Sequence, residues 1–287
     1  MNITGELLRE YLRKADKEGF AVPAFNYSDV WDFLAIIEAA DEMNAPIMLA
    51  SNPLVVRDIG VEICGAMGLA AMNKACRPVI HHLDHSSSVD MCTAAIDNGY
   101  PSVMIDASKL DLKGNIETTK KVVSYAKDKK VHVEAELGKI KGAGVEGNYT
   151  GTGLDFLVNP DEAAELVAAT GVDSLAVGIG TAHGFYEGEP EIHFDRLAEV
   201  NEAVSVPLVL HGGSGIPLED IRKAIKNGIN KVNVGTIIHC TYMNSMRNTL
   251  NEMGDNQYTL DVVKPSIKAI KAVVKEWIQV CMAENKI

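Results

Sequence analysis

Cysteine is scarce and unpatterned in this chain. The five thiols, Cys64, Cys76, Cys92, Cys240 and Cys281, form no Cys-x-x-Cys pair and lack the density of a disulfide scaffold. They are expected to be reduced, mostly buried packing residues of a cytoplasmic protein. Long apolar runs are missing as well. No stretch is long enough to span a bilayer, and the opening Met1-Asn2-Ile3-Thr4-Gly5-Glu6-Leu7 starts a charged amphipathic segment without an apolar signal region, so no membrane partner is expected. Basic charge is in deficit: 27 Lys and Arg against 39 Asp and Glu give a net charge of −12, which argues against a nucleic-acid or anionic-membrane surface. Any anionic substrate must therefore be held by local groups. No Gly-x-Gly-x-x-Gly follows the first apolar run, which weakens a dinucleotide-binding reading. No low-complexity tract, strong short repeat or interdomain linker divides the chain.

What is present is a large apolar fraction, 47% of 287 residues, arranged in short runs that alternate with amphipathic stretches. Leu7, Leu8, Tyr11, Leu12 and Ala15 share one helical face, and Gly19 is placed to stop that lead-in helix. Eight β-like runs follow, at 21–26, 46–51, 78–84, 102–106, 132–138, 173–180, 206–212 and 229–235. A spacing of roughly 25 to 40 residues fits βα units, and eight of them point to a closed (β/α)8 barrel occupying residues 1–287 as one domain, with a doubly wound open sheet as the alternative. Helical stripes separate the runs. Val30, Phe33, Leu34, Ile37 and Ala40 form one, Ile221, Ala224 and Ile225 another, and Ile267, Ile270, Val273, Val274, Trp277, Ile278 and Cys281 mark a long C-terminal helix.

Active sites of such barrels lie at the C-terminal strand ends, so the residues that close each run are informative. The segment Val79-Ile80-His81-His82-Leu83-Asp84-His85 runs from an apolar strand into titratable groups. Neighbouring strand side chains face opposite ways, so Asp84 and His85 can share a site only if the backbone turns there. Alone, this segment is either a buried, hydrogen-bonded histidine pair or an acid/base beside a metal ligand. The other endings are Asp106, Glu134-Ala135-Glu136, His183-Gly184, His211-Gly212-Gly213-Ser214 and Asn233-Val234-Gly235-Thr236. Histidines at three strand ends, His85, His183 and His211, favour a three-histidine metal site, whose open position suits catalytic zinc. Glu134 and Glu136 share a face, with Glu136 nearer the rim. His132 lies roughly 13 Å deeper on the same strand face and is not expected to be a ligand. His82, His193 and His239 are read as structural or solvated. The glycines and small hydroxyls after runs seven and eight can close backbone N–H groups on a phosphate. Residues 139–155, rich in glycine, form either a mobile lid or a plain connection.

These residues resemble the class II, metal-dependent ketose-bisphosphate aldolases. The resemblance covers nearly the whole chain and rests on His82-Leu83-Asp84-His85, Ser102-Val103-Met104-Ile105-Asp106, Val133-Glu134-Ala135-Glu136-Leu137-Gly138, Gly180-Thr181-Ala182-His183-Gly184, Leu208-Val209-Leu210-His211-Gly212-Gly213-Ser214-Gly215 and Lys231-Val232-Asn233-Val234. The wording of Ser174-Leu175-Ala176-Val177 with Gly180-Thr181-Ala182-His183-Gly184 resembles the tagatose branch more closely than the common fructose branch. The resemblance implies a homodimeric or dimer-based (β/α)8 enzyme acting on a phosphorylated ketose. It implies zinc on His85, His183 and His211, with Asp106 and Glu136 holding a second divalent or monovalent cation or ordering the metal shell. Gly184, Gly212, Gly213, Ser214, Asn233, Val234, Gly235 and Thr236 match contacts to dihydroxyacetone phosphate, and Asn26 and Ser51 are counted with the substrate-binding groups. Asp84 matches the acid/base at the C4 hydroxyl, and Glu146 is the candidate for the loop base at C3. A Schiff-base route is disfavoured because no lysine closes a strand; Lys231 precedes its rim.

Three departures bear on the substrate. Ser86-Ser87-Ser88 follow Asp84-His85, Glu187 follows Tyr186 where many members carry lysine, and Tyr258-Thr259-Leu260-Asp261-Val262-Val263-Lys264-Pro265 has no match for the arginine that many members place shortly before the last helix, leaving Lys264 as a poorer phosphate partner. The dihydroxyacetone-phosphate half is accordingly expected to be kept, with an aldehyde half that need not be glyceraldehyde 3-phosphate. Another metal-dependent barrel enzyme, such as a hydrolase, and a non-catalytic sugar-phosphate-binding barrel are the competing readings.

Overall fold

The computed structural model describes residues 4–138, 157–184, 190–253 and 258–287. Eight strands close into a parallel barrel in chain order: β1 (Val22–Asn26), β2 (Ile47–Ser51), β3 (Val79–Ser86), β4 (Ser102–Ile105), β5 (His132–Leu137), β6 (Ser174–Val177), β7 (Leu208–Leu210) and β8 (Ile229–Val234). The closure is made by β1 against β8, where Ala24 pairs with Asn233 and Phe25 with Val234. The open-sheet alternative is thereby set aside. Covered on both faces, β1, β2, β4, β6 and β7 are mostly apolar, whereas β3, β5 and β8 interleave apolar residues with buried polar ones.

Helices cover the outside. They are α1 (Gly5–Glu18), α2 (Val30–Met43), α3 (Pro53–Ile59), α4 (Val61–Lys74), α5 (Val89–Asp97), α6 (Leu112–Lys127), α7 (Pro160–Thr170), α8 (Phe194–Ala203), α9 (Leu218–Lys226), α10 (Thr236–Glu252) and α11 (Thr259–Val280). Local chemistry sets several ends. Asp29 and Asp32 form a reciprocal capping box at the start of α2, and Gly19 ends α1 in the left-handed conformation at φ 68°. The last helix begins eight residues before the first apolar residue of its expected stripe, with Pro265 tolerated near its start. Ile270, Val274, Trp277 and Ile278 on that stripe are buried, and α11 packs against α2 and α10.

Strand lengths differ from the apolar runs in an instructive way. β6 stops at Val177 and β7 at Leu210, so His183 and His211 are carried by the loops just beyond, while β3 continues through Asp84 to Ser86. The main core lies between barrel and helices. Inside the barrel a separate small apolar cluster, Met104, Ala176 and Val209, sits beside buried polar residues.

The N-terminal end of the barrel is plugged by α1. Leu8, Leu12 and Ala15 are fully buried, and Gly5 comes so close to β5 that a Cβ there would lie 2.3 Å from the His132 backbone nitrogen. Arg9 fastens this plug. Its Nε and Nη2 donate to Asp173 at 2.6 and 2.8 Å, and Nη2 also donates to the Val131 carbonyl. Burial raises the Asp173 carboxyl, and the Arg9 hydrogen bonds, His132, the Val133 N–H and the Arg9 charge together lower it by more, so its net displacement is downward. A depressed carboxyl contributes stability above its unfolded pKa and loses it as pH falls through the folded value. Arg9→Met should therefore cost about 1–3 kcal/mol of unfolding free energy at pH 7 and clearly less below the unperturbed carboxyl value of about 3.9. Urea unfolding of both proteins at pH 7 and pH 3 measures this; an equal loss at both would assign Arg9 a packing role only.

Candidate active site and metal centre

The C-terminal end of β3 solves the problem posed by adjacent Asp84 and His85. His81 and Leu83 point outward, where the His81 ring meets Tyr27 and Tyr100; a Cβ on Gly68 of α4 would lie 2.1 Å from its Nδ1. His82 and Asp84 point into the barrel. Continued alternation would send His85 outward, but its φ of 50° lies in the left-handed region and the pairing with β4 shifts between Leu83 and Ser86. The turn rotates His85 into the same cavity as Asp84. Such a conformation in a non-glycine residue costs of order 1–3 kcal/mol and persists only where its surroundings impose it. Here the His85 backbone N–H points at Met104 Sδ, 3.4 Å away inside the barrel.

Three histidines from three strand ends converge. The His85 ring stands 4.9 Å from His183 and 4.3 Å from His211 between centroids, and the ligand atoms of all three lie within 4.8 Å of one another. A zinc ion bonds imidazole nitrogen at about 2.0–2.1 Å, so this trio fits such an ion with small side-chain adjustment. Orientation supports the fit. His211 Nε2 lies 2.9 Å from Glu134 Oε1, which leaves Nδ1 turned toward His85 Nε2 at 2.5 Å. Burial is the main cause that holds His211 well below the ordinary imidazole range, which keeps its ring neutral and fit for ligation. Glu134 is thus tied to the histidine cluster, a role its sequence position did not show; its shared face with Glu136 was the available hint.

A second group, His85, Asp106 and Glu136, also has ligand atoms within 4.8 Å of one another. Asp106 and Glu136 stand 3.7 and 3.8 Å from His85 Nδ1. Ser108 donates to Asp106 through Oγ at 2.6 Å and N at 3.0 Å, and Asn115 donates to the Glu136 carbonyl at 2.8 Å. Burial raises the Asp106 carboxyl, and the His85 and Ser108 hydrogen bonds outweigh it, so it moves downward.

Asp84 is clamped. Asn26 Nδ2 donates to one oxygen at 2.8 Å and Asn233 Nδ2 to the other at 2.9 Å. Burial raises this carboxyl, while His85, His211, Lys231 and Asn26 lower it by more, and the net displacement is downward. The anion is the form that accepts a proton. Asn26 and Asn233 therefore touch the acid/base candidate directly.

The glycine-rich endings cluster beside these groups. Gly212 has φ 73°, and a Cβ there would lie 2.3 Å from the Ala182 carbonyl oxygen, so only glycine fits. Gly213 begins a short 3-10 turn, Gly213–Gly215, next to the Asn233 backbone, and Ser214 Oγ accepts from the Ile237 N–H at 3.3 Å in the first turn of α10. A Cβ on Gly235 would come within 2.9 Å of Asn26 Oδ1, Thr236 opens α10, and buried Val234 contributes backbone only, since Asn233 beside it faces inward. Gly184 follows His183 at φ 90°. Ser51 departs from expectation. It pairs with outward-facing Leu83, and its hydroxyl contacts Tyr100 Oη at 2.9 Å and the His82 carbonyl at 3.5 Å, so the structure does not bring it to the cavity.

Other expectations find their places. His132 and His82 are fully buried and linked through Ser102, and His239 bonds Ser28 Oγ at 2.8 Å. Lys231 is fully buried against both oxygens of Glu134, which keeps its amine from any substrate carbonyl. Lys264 stands exposed on α11 with Asp261 3.8 Å away. Glu146, the 139–155 segment, Tyr186 and Glu187 lie outside the described residues.

With this geometry in view, comparison with known proteins gives consistent results. The family model described as fructose-bisphosphate aldolase class-II matches residues 6–286. The YdjI aldolase of Escherichia coli K12 superposes with a TM-score of 0.85 at 32% identity, covering 97% of this chain and 98% of that one. A protein assigned as a fructose-1,6-bisphosphate aldolase from Coccidioides immitis gives 0.87 at 29% identity, with 96% of each chain covered. Fructose-bisphosphate aldolase from Campylobacter jejuni shares the fold, with a TM-score of 0.82 at 21% identity over 99% of this chain and 96% of that one. The resemblance drawn from the motifs is borne out, and the chain belongs to the class II fructose-bisphosphate aldolase family of carbon–carbon lyases.

Proposed function

We propose that the chain acts as one (β/α)8 unit that reversibly cleaves a ketose 1,6-bisphosphate of tagatose or fructose type to dihydroxyacetone phosphate and an aldehyde such as glyceraldehyde 3-phosphate. The observation that carries this reading is the convergence of His85, His183 and His211 beside an Asp84 clamped by two asparagines. His85, His183 and His211 would hold zinc, with Asp106 and Glu136 ordering it or holding a second cation. Zinc bound there supplies Lewis-acid stabilisation of the negative charge that develops on the substrate oxygens, worth several kcal/mol.

The protein's own groups divide the remaining work. Asp84 accepts the proton of the C4 hydroxyl as the C3–C4 bond breaks and the bond electrons move into the C2 carbonyl, and it returns that proton in condensation. Its two oxygens are aimed by Asn26 and Asn233. Gly184, Gly212, Gly213, Ser214 and the Asn233–Thr236 backbone would surround the phosphate of the dihydroxyacetone half, with the N-terminus of α10 favouring negative charge. Glu146 would exchange the C3 proton. A homodimer or dimer-based oligomer and a cytoplasmic location belong to the same reading, supported by the family resemblance. A ketose 1-phosphate with a different aldehyde half is the alternative, supported by residues 258–265, which contain no arginine matching the one that many family members place shortly before the last helix.

Incubation with fructose, tagatose and other ketose phosphates, with triose phosphate detected, tests the reaction. Cleavage should be abolished by EDTA and restored by zinc; zinc-loaded protein that cleaves no member of the panel would refute the reading. Comparable kcat/KM with and without the second phosphate would favour the 1-phosphate variant. Asp84→Asn should lower kcat by about 10²–10⁴ while leaving zinc content unchanged. Retained turnover in that variant would remove Asp84 from its assigned role.

A further inference from the structure

Beneath the histidine cluster, the barrel interior contains a buried lysine that the proposed chemistry does not use. Lys231 Nζ lies 3.0 and 2.8 Å from the two Glu134 oxygens and 3.5 Å from His82 Nε2, and all three side chains are fully buried. We propose that Lys231 is a positioning residue that sets the ring tautomers of His82 and His211, and thereby which nitrogen of His211 faces a metal ion. The final step rests on the metal-centre reading above; the tautomers themselves do not.

Donor counting carries the argument. An ammonium has three N–H donors and no acceptor, and its three neighbours here are two carboxylate oxygens and one imidazole nitrogen. His82 Nε2 must then present its lone pair to Lys231. The alternative partner for an Nε2 proton, Asp84 Oδ1, is 3.9 Å away, beyond hydrogen-bond reach. A neutral ring that accepts at Nε2 carries its proton on Nδ1, which donates to Ser102 Oγ at 2.8 Å. The single hydroxyl proton of Ser102 is then directed to His132 Nδ1 at 3.1 Å. His132 keeps its own proton on Nε2, a buried nitrogen without a hydrogen-bond partner among the described residues. One ammonium thus orders a directional chain from the middle of the barrel to its floor.

The second arm runs through Glu134. With its charge balanced by Lys231, the carboxylate accepts the His211 Nε2 proton at 2.9 Å, which leaves the Nδ1 lone pair toward His85. Removing the ammonium leaves the fully buried Glu134 carboxylate without its paired charge and without the two contacts that hold its oxygens in place. A Glu134 no longer held by Lys231 releases His211 from its fixed orientation.

Nitrogen-15 labelling of the histidines in the full chain, read by long-range ¹⁵N–¹H correlation and assigned with single histidine variants, tests the proposal in metal-free protein. Wild type should show His82 as the Nδ1–H tautomer and His211 as Nε2–H. In Lys231→Met, His82 should change to Nε2–H, and the zinc dissociation constant, measured by competition with a chromogenic chelator, should rise about 10–100-fold. An Nε2–H His82 in wild type, or unchanged tautomers and zinc affinity in the variant, would overturn the assignment. Should Lys231→Met fail to fold, Glu134→Gln carries the test. It keeps an acceptor for His211 but removes the charged link, so zinc should bind about tenfold more weakly while His82 stays Nδ1–H; wild-type affinity there would overturn the proposal. Failure of wild-type protein to bind zinc would instead refute the metal-centre reading, because the tautomers are read without metal.

Discussion

The site depends on one break in strand geometry. A β-strand can present Asp84 or His85 to the barrel cavity, not both, because adjacent side chains point to opposite faces. The left-handed backbone at His85 and the register shift toward β4 suspend that rule for a single residue. Local strain of this kind is stable only inside a rigid frame, and the closed barrel supplies one, with every strand hydrogen-bonded on both sides. The fold therefore positions the site and also holds it in a conformation that a free peptide would not adopt.

Closure has an electrostatic consequence. The interior holds Lys231, Glu134, Asp84 and several histidines, all removed from water. Charges in that state are tolerated only when each is paired or accepts hydrogen bonds. The arrangement meets this requirement in layers. Lys231 balances Glu134 at mid-depth, the two asparagines satisfy Asp84 above it, and the Ser102 hydroxyl joins His82 to His132 below. Desolvation then works in favour of function, since fixed dipoles and charges act more strongly there than in water. It also holds the buried imidazoles neutral, with His132 lowered to about 4 and His211 well below its ordinary value, the state that ligation needs.

Next to this charged layer, the endings of β7 and β8 are made of backbone. Gly212, Gly213 and Gly235 each meet a neighbour so closely that a side chain would collide, with Ala182, Asn233 and Asn26 respectively. The same glycines join the proposed phosphate cradle to the acid/base clamp, because Gly235 abuts Asn26, which donates to Asp84. The two halves of the proposed site are thus mechanically continuous.

Much of this was legible in the residue order. Eight apolar runs at βα spacing give a barrel because paired strands and covering helices bury their apolar faces in few other ways, and polar residues at the run ends mark the functional rim. Stripe and stop signals such as Leu8, Leu12, Ala15 and Gly19 were readable because they depend on neighbours within a few residues. What lay beyond reach depends on register and depth across strands. Period two says that Glu134 and Glu136 share a face, yet only the barrel's stagger sets Glu134 against Lys231 and His211, and Glu136 near His85 and Asp106. The same limit applies to Ser51, whose hydroxyl turns to Tyr100 because its strand pairs it with outward-facing Leu83. Local sequence carries local conformation and the order of elements; which side chains meet in the interior is settled by closure, since contacts between distant strands exist only once the barrel has formed.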